Sequence, residues 1–535
     1  MHRDGDSQPV TKPGRWLALL ALVALFAFSE HLAFNRIFQV DELEGVFTAR
    51  LLATGHLGEF DAGPSLMHIG PMTWIAGSTD RSALMLRMER LLFFVLFWLN
   101  LVLIVRCAGF RLRSMEGLVA LLLAATLAPL WDYGFEMRHE TPLLTAILLT
   151  WSFARPLAGT QRLFLVGLLC VLAQFVAHKA FAYMIPIALF AIVAAKLEEN
   201  RLLRGILMLA AGGASGLAIA KLLLWLAGMW TRYASDAKSL AAVAVETQRF
   251  SAAPTLQRLL FQTPLLLVAV AAALVYAVMH AREQRITSRD SLLPEVALLA
   301  GAIAAILANP TPFPYNLVLL VPQAAILCLR LPRPTAKAWK SAFAVLFVLH
   351  VAIWFAWTRR HIITSNERQI ELMETAEELT DAREHRVFDG AALVPTRFPP
   401  GRNWLIHTFT IAQFRNGGLP SIRSQLAEGR TPVIIPNYRV MALPPEDHQY
   451  MHEHYVALAG DFLVAGGAVN RSNGYRFECL VAGRYFHSGE KRVVVLARGP
   501  HTFTSDGYVV WLGPKLDAPP ALGPGDASRI LVNWY

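Results

Sequence analysis

The sequence predicts a mainly α-helical polytopic membrane protein, with about 11 transmembrane helices, that ends in an extracytoplasmic α+β domain. Of its 535 residues, 55% are hydrophobic and 16% are charged, more apolar than a soluble core of this length requires. The apolar segments end at Trp357. A polar helix and short β-rich runs, separated by Gly, Pro, Asn and Asp turns, then follow. Composition and segment length therefore predict both the membrane part and the exported domain.

The predicted spans are predominantly apolar and near the length of a bilayer-crossing helix. The first could instead be a cleaved signal peptide, but no small-residue cleavage pattern follows it. The eleven apolar cores are Trp16–Phe34, Leu91–Ala108, Leu118–Leu130, Pro142–Phe153, Leu163–Val176, Phe181–Ala195, Gly205–Met229, Pro264–Met279, Leu293–Ala308, Tyr315–Leu329 and Phe343–Trp357.

Basic residues occupy every second short loop between these segments. Arg15 precedes the first segment, Arg111 follows the second, Arg162 the fourth, Arg204 the sixth and Arg285 the eighth. By the positive-inside rule these loops face the cytoplasm. We therefore expect a multi-pass protein of the bacterial inner membrane, with a cytoplasmic N-terminus and a periplasmic C-terminal domain. The net charge of +10 then needs no nucleic-acid partner to explain it.

The expected domain division lies between residues 358 and 359. The transmembrane domain, 1–358, includes a long first outer loop at residues 35–88, and the exported domain is 359–535. In the first outer loop, "ELEGVFTARLLATG" has helical periodicity, and "STDRSALMLRMERLL" predicts a helix that starts near Ser78 and Asp80. A loop of this length is unusual for a mere connection.

Polar side chains that suit a functional site recur in the loops expected to face outward. Asp41 and Glu42 follow the first span directly. Taken alone, these acids fit a solvated helix start equally well, because carboxylates favour a helix N-terminus. Ionisable groups at membrane depth are nevertheless costly and often functional. The candidates in the later outward loops are Arg138, His139, Glu140, His178, Lys179 and Tyr315.

The order of four features resembles the integral-membrane glycosyltransferases of the GT-C superfamily. They are an acidic pair after the first span, a long first outer loop, an Arg-x-acid before the fourth span and a P-x-x-Y turn entering a late span. The sequence is most similar to the branch of protein mannosyltransferases and bacterial aminoarabinose transferases. The resemblance covers roughly Trp16–Trp357.

The resemblance implies transfer of a sugar from a polyprenyl-phosphate donor to an envelope lipid, glycan or protein. It makes Asp41 the candidate general base and Glu42 its neighbour, because inverting transfer needs one carboxylate at the acceptor hydroxyl. The departing phosphate needs cations, for which Arg138 and Lys179 are the candidates. Glu140, His139, His178 and Tyr315 are the other expected site residues.

Two departures from the family pattern affect the details. The Arg-x-acid motif reads "RHE", with Glu140 where many members have Asp. The Lys-Pro-Pro element of the aminoarabinose branch is replaced by "MHIGPMTW", which places His68 and Pro71 nearby and argues against the same donor or acceptor.

The position of Lys179 fits a residue that snorkels to the membrane interface as well as it fits a phosphate-binding residue. A divalent metal is neither required nor excluded.

Two other classes of function fit the same composition. A transporter or flippase of lipid-linked glycans would also place charges at membrane depth, although the internal repeats typical of transporters are not apparent. A non-catalytic assembly protein whose exported domain binds glycan is the third possibility. Turnover of a labelled polyprenyl-phosphate sugar separates the enzyme from both.

Overall fold

A computed structural model describes the chain in segments. These are residues 12–60, 67–155, 160–199, 202–231, 233, 250–280, 291–309, 312–331, 337–406, 408–428, 430–458, 462–514 and 516. The predicted basic loop around Arg285 lies outside them. The chain forms two compact units: the first comprises Met1–Arg36, Pro64–Gly70 and Arg90–Thr364, and the second comprises Ile37–Gly63, Pro71–Glu89 and Ser365–Tyr535. The domain boundary expected at residue 358 stays a prediction.

The first unit is helical throughout its described length. All eleven predicted apolar segments lie largely within helices, because each is apolar and interrupted only rarely by helix breakers. In chain order, the helices with residues in this unit are α1 (Lys12–Asn35), α4 (Ser82–Cys107), α5 (Met115–Ala125), α6 (Ala128–Tyr133), α7 (Glu140–Ala154), α8 (Thr160–Val176), α9 (Ala180–Glu199), α10 (Leu202–Leu226), α11 (Ala253–Gln262), α12 (Pro264–Met279), α13 (Leu293–Ala308), α14 (Leu317–Leu329), α15 (Lys337–Thr358) and α16 (Arg360–Ile363).

Fewer helices than predicted have the length of a membrane span. Among the described residues, five helical segments are long and apolar enough to cross a bilayer, or six if α11 and α12, which meet at 93°, form one broken span. Helices α5, α8, α13 and α14 are apolar but short. The expected count of about 11 spans is therefore not confirmed, because several predicted segments fall below the roughly 20 residues that a straight span needs.

The second unit combines helices of the first outer loop with the C-terminal strands. Helix α2 (Val40–Ala53) matches the periodicity of "ELEGVFTARLLATG", and α3 (Ile69–Ser78) follows it. Helix α4 begins at Ser82 rather than near Ser78, which is the last residue of α3. The Arg50 guanidinium explains the difference: it donates hydrogen bonds to the Thr79 carbonyl and pairs with the Asp80 carboxylate 2.5 Å away, holding the intervening turn.

The C-terminal part of this unit has the predicted mixed α and β structure. The helices are α17 (Glu367–Leu379), α18 (Thr408–Arg415), α19 (Ile422–Leu426) and α20 (Pro445–His454). The strands are β1 (Val387–Phe388), β2 (Val433–Ile434), β3 (Tyr455–Leu458), β4 (Phe462–Val469), β5 (Arg476–Cys479), β6 (Gly483–His487), β7 (Arg492–Leu496), β8 (Gly499–Thr502) and β9 (Gly507–Trp511). A seven-stranded sheet has the order β1-β2-β4-β9-β6-β7, with β3 paired to β4, and β5 and β8 form a second sheet.

Residues far apart in sequence build the core of the second unit. Phe47 of α2 packs edge-to-face on Trp404, with ring centroids 4.9 Å apart. Gln369 of α17 binds both backbone groups of Phe38: its Oε1 accepts the Phe38 N–H at 2.7 Å and its Nε2 donates to the Phe38 carbonyl at 3.0 Å. The segment that leads into α2 is thereby fixed to α17.

Glycines allow helices α8 and α10 to pack in close backbone contact. A Cβ atom at Gly212 would lie 1.9 Å from the Phe164 carbonyl oxygen, and one at Gly167 would lie 2.0 Å from the Leu209 carbonyl oxygen. A Cβ at Gly213 would lie 3.4 Å from the Val171 side chain and 3.9 Å from the Gly167 carbonyl oxygen, both ordinary van der Waals distances. Small residues at such positions let the backbones of neighbouring membrane helices approach closely.

Gly212→Ala should therefore lower the thermal stability of the purified protein, although alanine is the better helix former. The new methyl group must push two backbones apart, at a cost of about 1–3 kcal/mol. Gly213→Ala, one residue away, should leave the melting temperature unchanged or raise it. Equal melting temperatures for the two variants in the same detergent would contradict the close packing of α8 on α10.

Candidate active site

The turn between α6 and α7 positions the first group of candidate residues. The Thr141 hydroxyl donates to the Gly134 carbonyl at 2.9 Å, and the Arg138 N–H donates to the Glu136 carbonyl at 2.8 Å. Helix α7 begins at Glu140, so its carboxylate lies in the first helical turn. These bonds hold Arg138 and Glu140 in the same turn of chain.

The Glu140 carboxylate is the centre of the candidate active site. Its side chain is 1% exposed, and its Oε2 atom lies 3.3 Å from Arg138 Nε. Its Oε1 atom accepts a hydrogen bond from Lys179 Nζ and lies 2.9 Å from His139 Nε2. Lys179 Nζ also donates to the Asn316 Oδ1 atom at 2.9 Å. Three separate segments of the first unit thus meet at one buried carboxylate.

Tyr315 contributes the aromatic side of this site. The Arg138 guanidinium carbon lies 3.8 Å from the centroid of the Tyr315 ring, and Lys179 Nζ lies 5.2 Å from it. The ring face attracts both cations. The neighbouring Asn316 side chain donates to the Phe313 carbonyl at 2.9 Å, which fixes the turn that carries Tyr315.

The charges in this site do not cancel. Arg138 and Lys179 carry two positive charges against the single negative charge of Glu140, an excess of +1. The Arg138 side chain is 10% exposed and that of Lys179 is 20% exposed, so both cations keep some access from outside. A small anion such as a phosphate group is the natural complement of such an arrangement.

Two histidines border the carboxylate without adding charge. The rings of His68 and His139 have centroids 6.1 Å apart. Burial lowers the pKa of His68 to about 3 and also lowers the pKa of His139. Both imidazoles are therefore neutral near pH 7. His68, noted in the sequence only as standing near the place of the Lys-Pro-Pro element, is adjacent to the predicted site residue His139.

His178 faces a different neighbour, although it precedes Lys179 directly. Its ring centroid lies 5.5 Å from that of Tyr233, which in turn stacks on Phe175 at 4.9 Å. The described side-chain contacts of the Glu140 carboxylate are with Arg138, His139 and Lys179. His178 is accordingly part of an aromatic group beside the site.

The two predicted acids of the first outer loop belong to the second unit. Both lie in the first turn of α2. Asp41 is exposed, whereas Glu42 is fully buried and its Oε2 atom accepts the Gln39 N–H at 2.8 Å. Glu42 thereby caps the start of the helix. The expected catalytic roles of Asp41 and Glu42 stay predictions.

Sequence reasoning missed two polar residues that the structure brings into contact with charged groups. Asn316 directly follows the predicted site residue Tyr315 and accepts a hydrogen bond from Lys179. Asp132 lies in the same "WDYGFEMRHE" stretch as the site, and its buried carboxylate pairs with Arg360 at 2.5 Å and His361 at 2.7 Å. Among the described residues, no group of three or more His, Cys, Asp or Glu side chains is arranged to hold a metal ion.

Comparison with solved structures decides the fold. The chain superimposes on ArnT from Cupriavidus metallidurans in its apo state with a TM-score of 0.54 and 12% sequence identity, over 85% of this chain and 98% of that one. ArnT, an aminoarabinose transferase, is a GT-C membrane glycosyltransferase. This chain has the GT-C fold. The resemblance predicted from the order of short motifs is confirmed at the level of the fold.

Two further solved structures are also similar to this chain. ArnT bound to undecaprenyl phosphate gives a TM-score of 0.51 at 12% identity, over 84% of this chain and 97% of that one. The oligosaccharyltransferase AglB from Archaeoglobus fulgidus, in complex with an inhibitory peptide and a dolichol-phosphate, gives a TM-score of 0.47 at 11% sequence identity. That comparison covers 91% of this chain and 75% of AglB. No family model matches the sequence, and no curated protein is similar to it.

Glu140→Gln should destabilise the protein, because it removes the buried carboxylate that Arg138 and Lys179 both contact. Breaking a buried pair by removing one partner costs about 3 kcal/mol. The melting temperature should fall well below that of Glu44→Gln, a matched change at a partly exposed glutamate of α2. If both variants melt at the wild-type temperature, the Glu140 carboxylate does not hold these cations together.

Proposed function

We propose that this GT-C-fold protein is a membrane glycosyltransferase that transfers a sugar from a polyprenyl-phosphate donor to an acceptor hydroxyl. The observation that carries the proposal is the cation pair at Glu140, in which Arg138 and Lys179 flank the Tyr315 ring. Lipid-linked sugars offer the matching chemistry, since a phosphate joins the sugar to an apolar chain. ArnT, whose fold this chain shares, has been crystallised with undecaprenyl phosphate.

The cation pair would act on the phosphate as the sugar leaves. Negative charge grows on the phosphate oxygens when the sugar–oxygen bond breaks, and preorganised cations stabilise that charge. Arg138 suits a two-point contact with phosphate oxygens, because its guanidinium is planar and its position is fixed by Tyr315 and Glu140. Lys179, held by Asn316, supplies a second point charge.

The acceptor would be activated by a carboxylate rather than by a covalent intermediate. Asp41 is the proposed general base, since it is exposed at the start of α2 and belongs to the acidic pair that the family resemblance identifies. It would take the proton from the acceptor hydroxyl while that oxygen attacks the anomeric carbon, with inversion. Glu42 would hold the turn that presents Asp41, because its carboxylate caps the helix.

The proposed location is the bacterial inner membrane, with the site open to the periplasmic face. The basic loops predicted to be cytoplasmic, such as the one at Arg111, lie at the opposite ends of helices from the turns that carry Arg138 and Lys179. The acceptor would be an envelope lipid, glycan or protein.

Asp41→Asn should reduce transfer by roughly a hundredfold or more, because the amide keeps the size of the side chain but cannot accept the proton. Membrane vesicles that contain the variant, supplied with labelled polyprenyl-phosphate sugar, measure the turnover. Glu44→Gln, three residues further along α2, is the matched control and should transfer at close to the wild-type rate.

Two outcomes would count against this account. If Asp41→Asn binds the donor normally and transfers sugar at a near-normal rate, Asp41 is not the general base. Glu42 would then have to be tested by the same measurement. Movement of the labelled lipid across the vesicle membrane without any turnover by the wild-type protein would instead favour a transporter.

A further inference from the structure

We infer that the first unit carries a binding surface for an anionic phospholipid of the surrounding bilayer, separate from the cation pair at Glu140. The surface is formed by α11, the end of α15, the residue that follows it and the start of α16. Its members are Arg258, Leu260, Phe261, Trp357, Arg359 and Arg360. They are called the basic interfacial surface below. The inference does not depend on the proposed glycosyltransferase activity.

Helix α11 has the geometry and pattern of a helix that lies in the membrane interface. It meets the apolar helix α12 at 93°, so if α12 crosses the bilayer, α11 runs parallel to its plane. The side chains of Leu256, Leu260 and Phe261 are about half exposed, whereas Thr255 and Gln262 are buried. The apolar face of α11 is thus exposed, and its polar face packs against the protein. A helix with separate apolar and polar faces is suited to lie in the membrane interface.

The Asp132 carboxylate joins this helix to α16. Its Oδ2 atom accepts hydrogen bonds from Gln262 Nε2 at 2.6 Å and from Arg360 Nη2 at 2.5 Å. Its Oδ1 atom lies 2.7 Å from His361 Nε2. Because Asp132 is almost fully buried, these bonds are protected from water and hold the basic interfacial surface in one arrangement.

Three further contacts tie these elements together. The Trp357 indole donates to the Phe261 carbonyl at 3.0 Å, and the Arg360 guanidinium lies 5.3 Å from the Trp357 ring centroid. Arg258 donates to the hydroxyl of Tyr133, the residue after Asp132. Arg258 and Arg360 are thus anchored to two adjacent residues of α6, and Trp357 is bonded to α11.

The charge and the exposure of this surface identify the ligand. Arg258, Arg359 and Arg360 carry three positive charges against one negative charge on Asp132, an excess of +2. Arg359 is exposed and the Arg360 side chain is 39% exposed, so both can reach a headgroup. Phe261 and Ile363, 54% and 83% exposed, provide apolar surface for acyl chains beside them. Phosphate next to hydrocarbon is the chemistry of a phospholipid rather than of free phosphate.

Native mass spectrometry of the full-length protein in detergent, titrated with phosphatidylglycerol or with phosphatidylcholine, tests the inference. The wild-type protein should bind phosphatidylglycerol more tightly. Arg258→Gln and Arg359→Gln should each weaken that binding roughly fivefold, the equivalent of about 1 kcal/mol for a basic residue near an anionic lipid. Arg359→Lys should retain it, because the charge remains. Arg204→Gln, at an exposed arginine of α10, is the matched control and should behave like the wild type.

Three results would overturn the inference. The first is equal binding of both phospholipids by the wild-type protein. The second is an equal loss in Arg204→Gln, which would indicate general electrostatic attraction. The third is displacement of phosphatidylglycerol by undecaprenyl phosphate together with loss of undecaprenyl phosphate binding in the Arg359→Gln variant, which would assign the surface to the sugar donor. Since lipid binding is read without turnover, none of these results bears on whether Asp41 acts as a base.

Discussion

The need to compensate the buried charge of Glu140 organises the first unit around its candidate active site. A carboxylate that is removed from water is costly unless cations and hydrogen-bond donors surround it. Arg138 and Lys179 satisfy this requirement from two different turns, and Tyr315 and Asn316 fix these cations from a third. The same interactions that stabilise the carboxylate therefore hold two positive groups at a partly accessible position.

This arrangement explains how one set of contacts serves both folding and chemistry. Each cation has a structural partner before any substrate arrives, so little reorganisation is needed when a phosphate group binds. Preorganised charge is the main means by which a protein stabilises a developing anion. The excess of one positive charge at Glu140, rather than a neutral pair, is the feature that favours an anionic ligand over a purely structural role.

Local sequence pattern predicted the helices of the apolar segments and a β-rich C-terminal part, but not the contacts that join them. The periodicity of "ELEGVFTARLLATG" predicted α2. The short β-rich runs expected between Gly, Pro, Asn and Asp turns after Trp357 include the strands β4, β6, β7 and β9. No local pattern could predict that Gln369 binds Phe38 or that Lys179 pairs with Glu140, because such pairings depend on how distant segments pack. Nor did hydropathy distinguish a full span from a short apolar helix such as α5.

The most direct test of the account is the affinity of the purified protein for undecaprenyl phosphate. Replacing Arg138 or Lys179 by glutamine should each weaken binding about tenfold or more, because a hydrogen bond to a charged group contributes about 1.5–3 kcal/mol. Lys221→Gln, at an exposed lysine of α10, should leave the affinity unchanged. Wild-type affinity in both Arg138→Gln and Lys179→Gln would contradict the claim that the cations gathered at Glu140 bind the phosphate of a lipid-linked sugar.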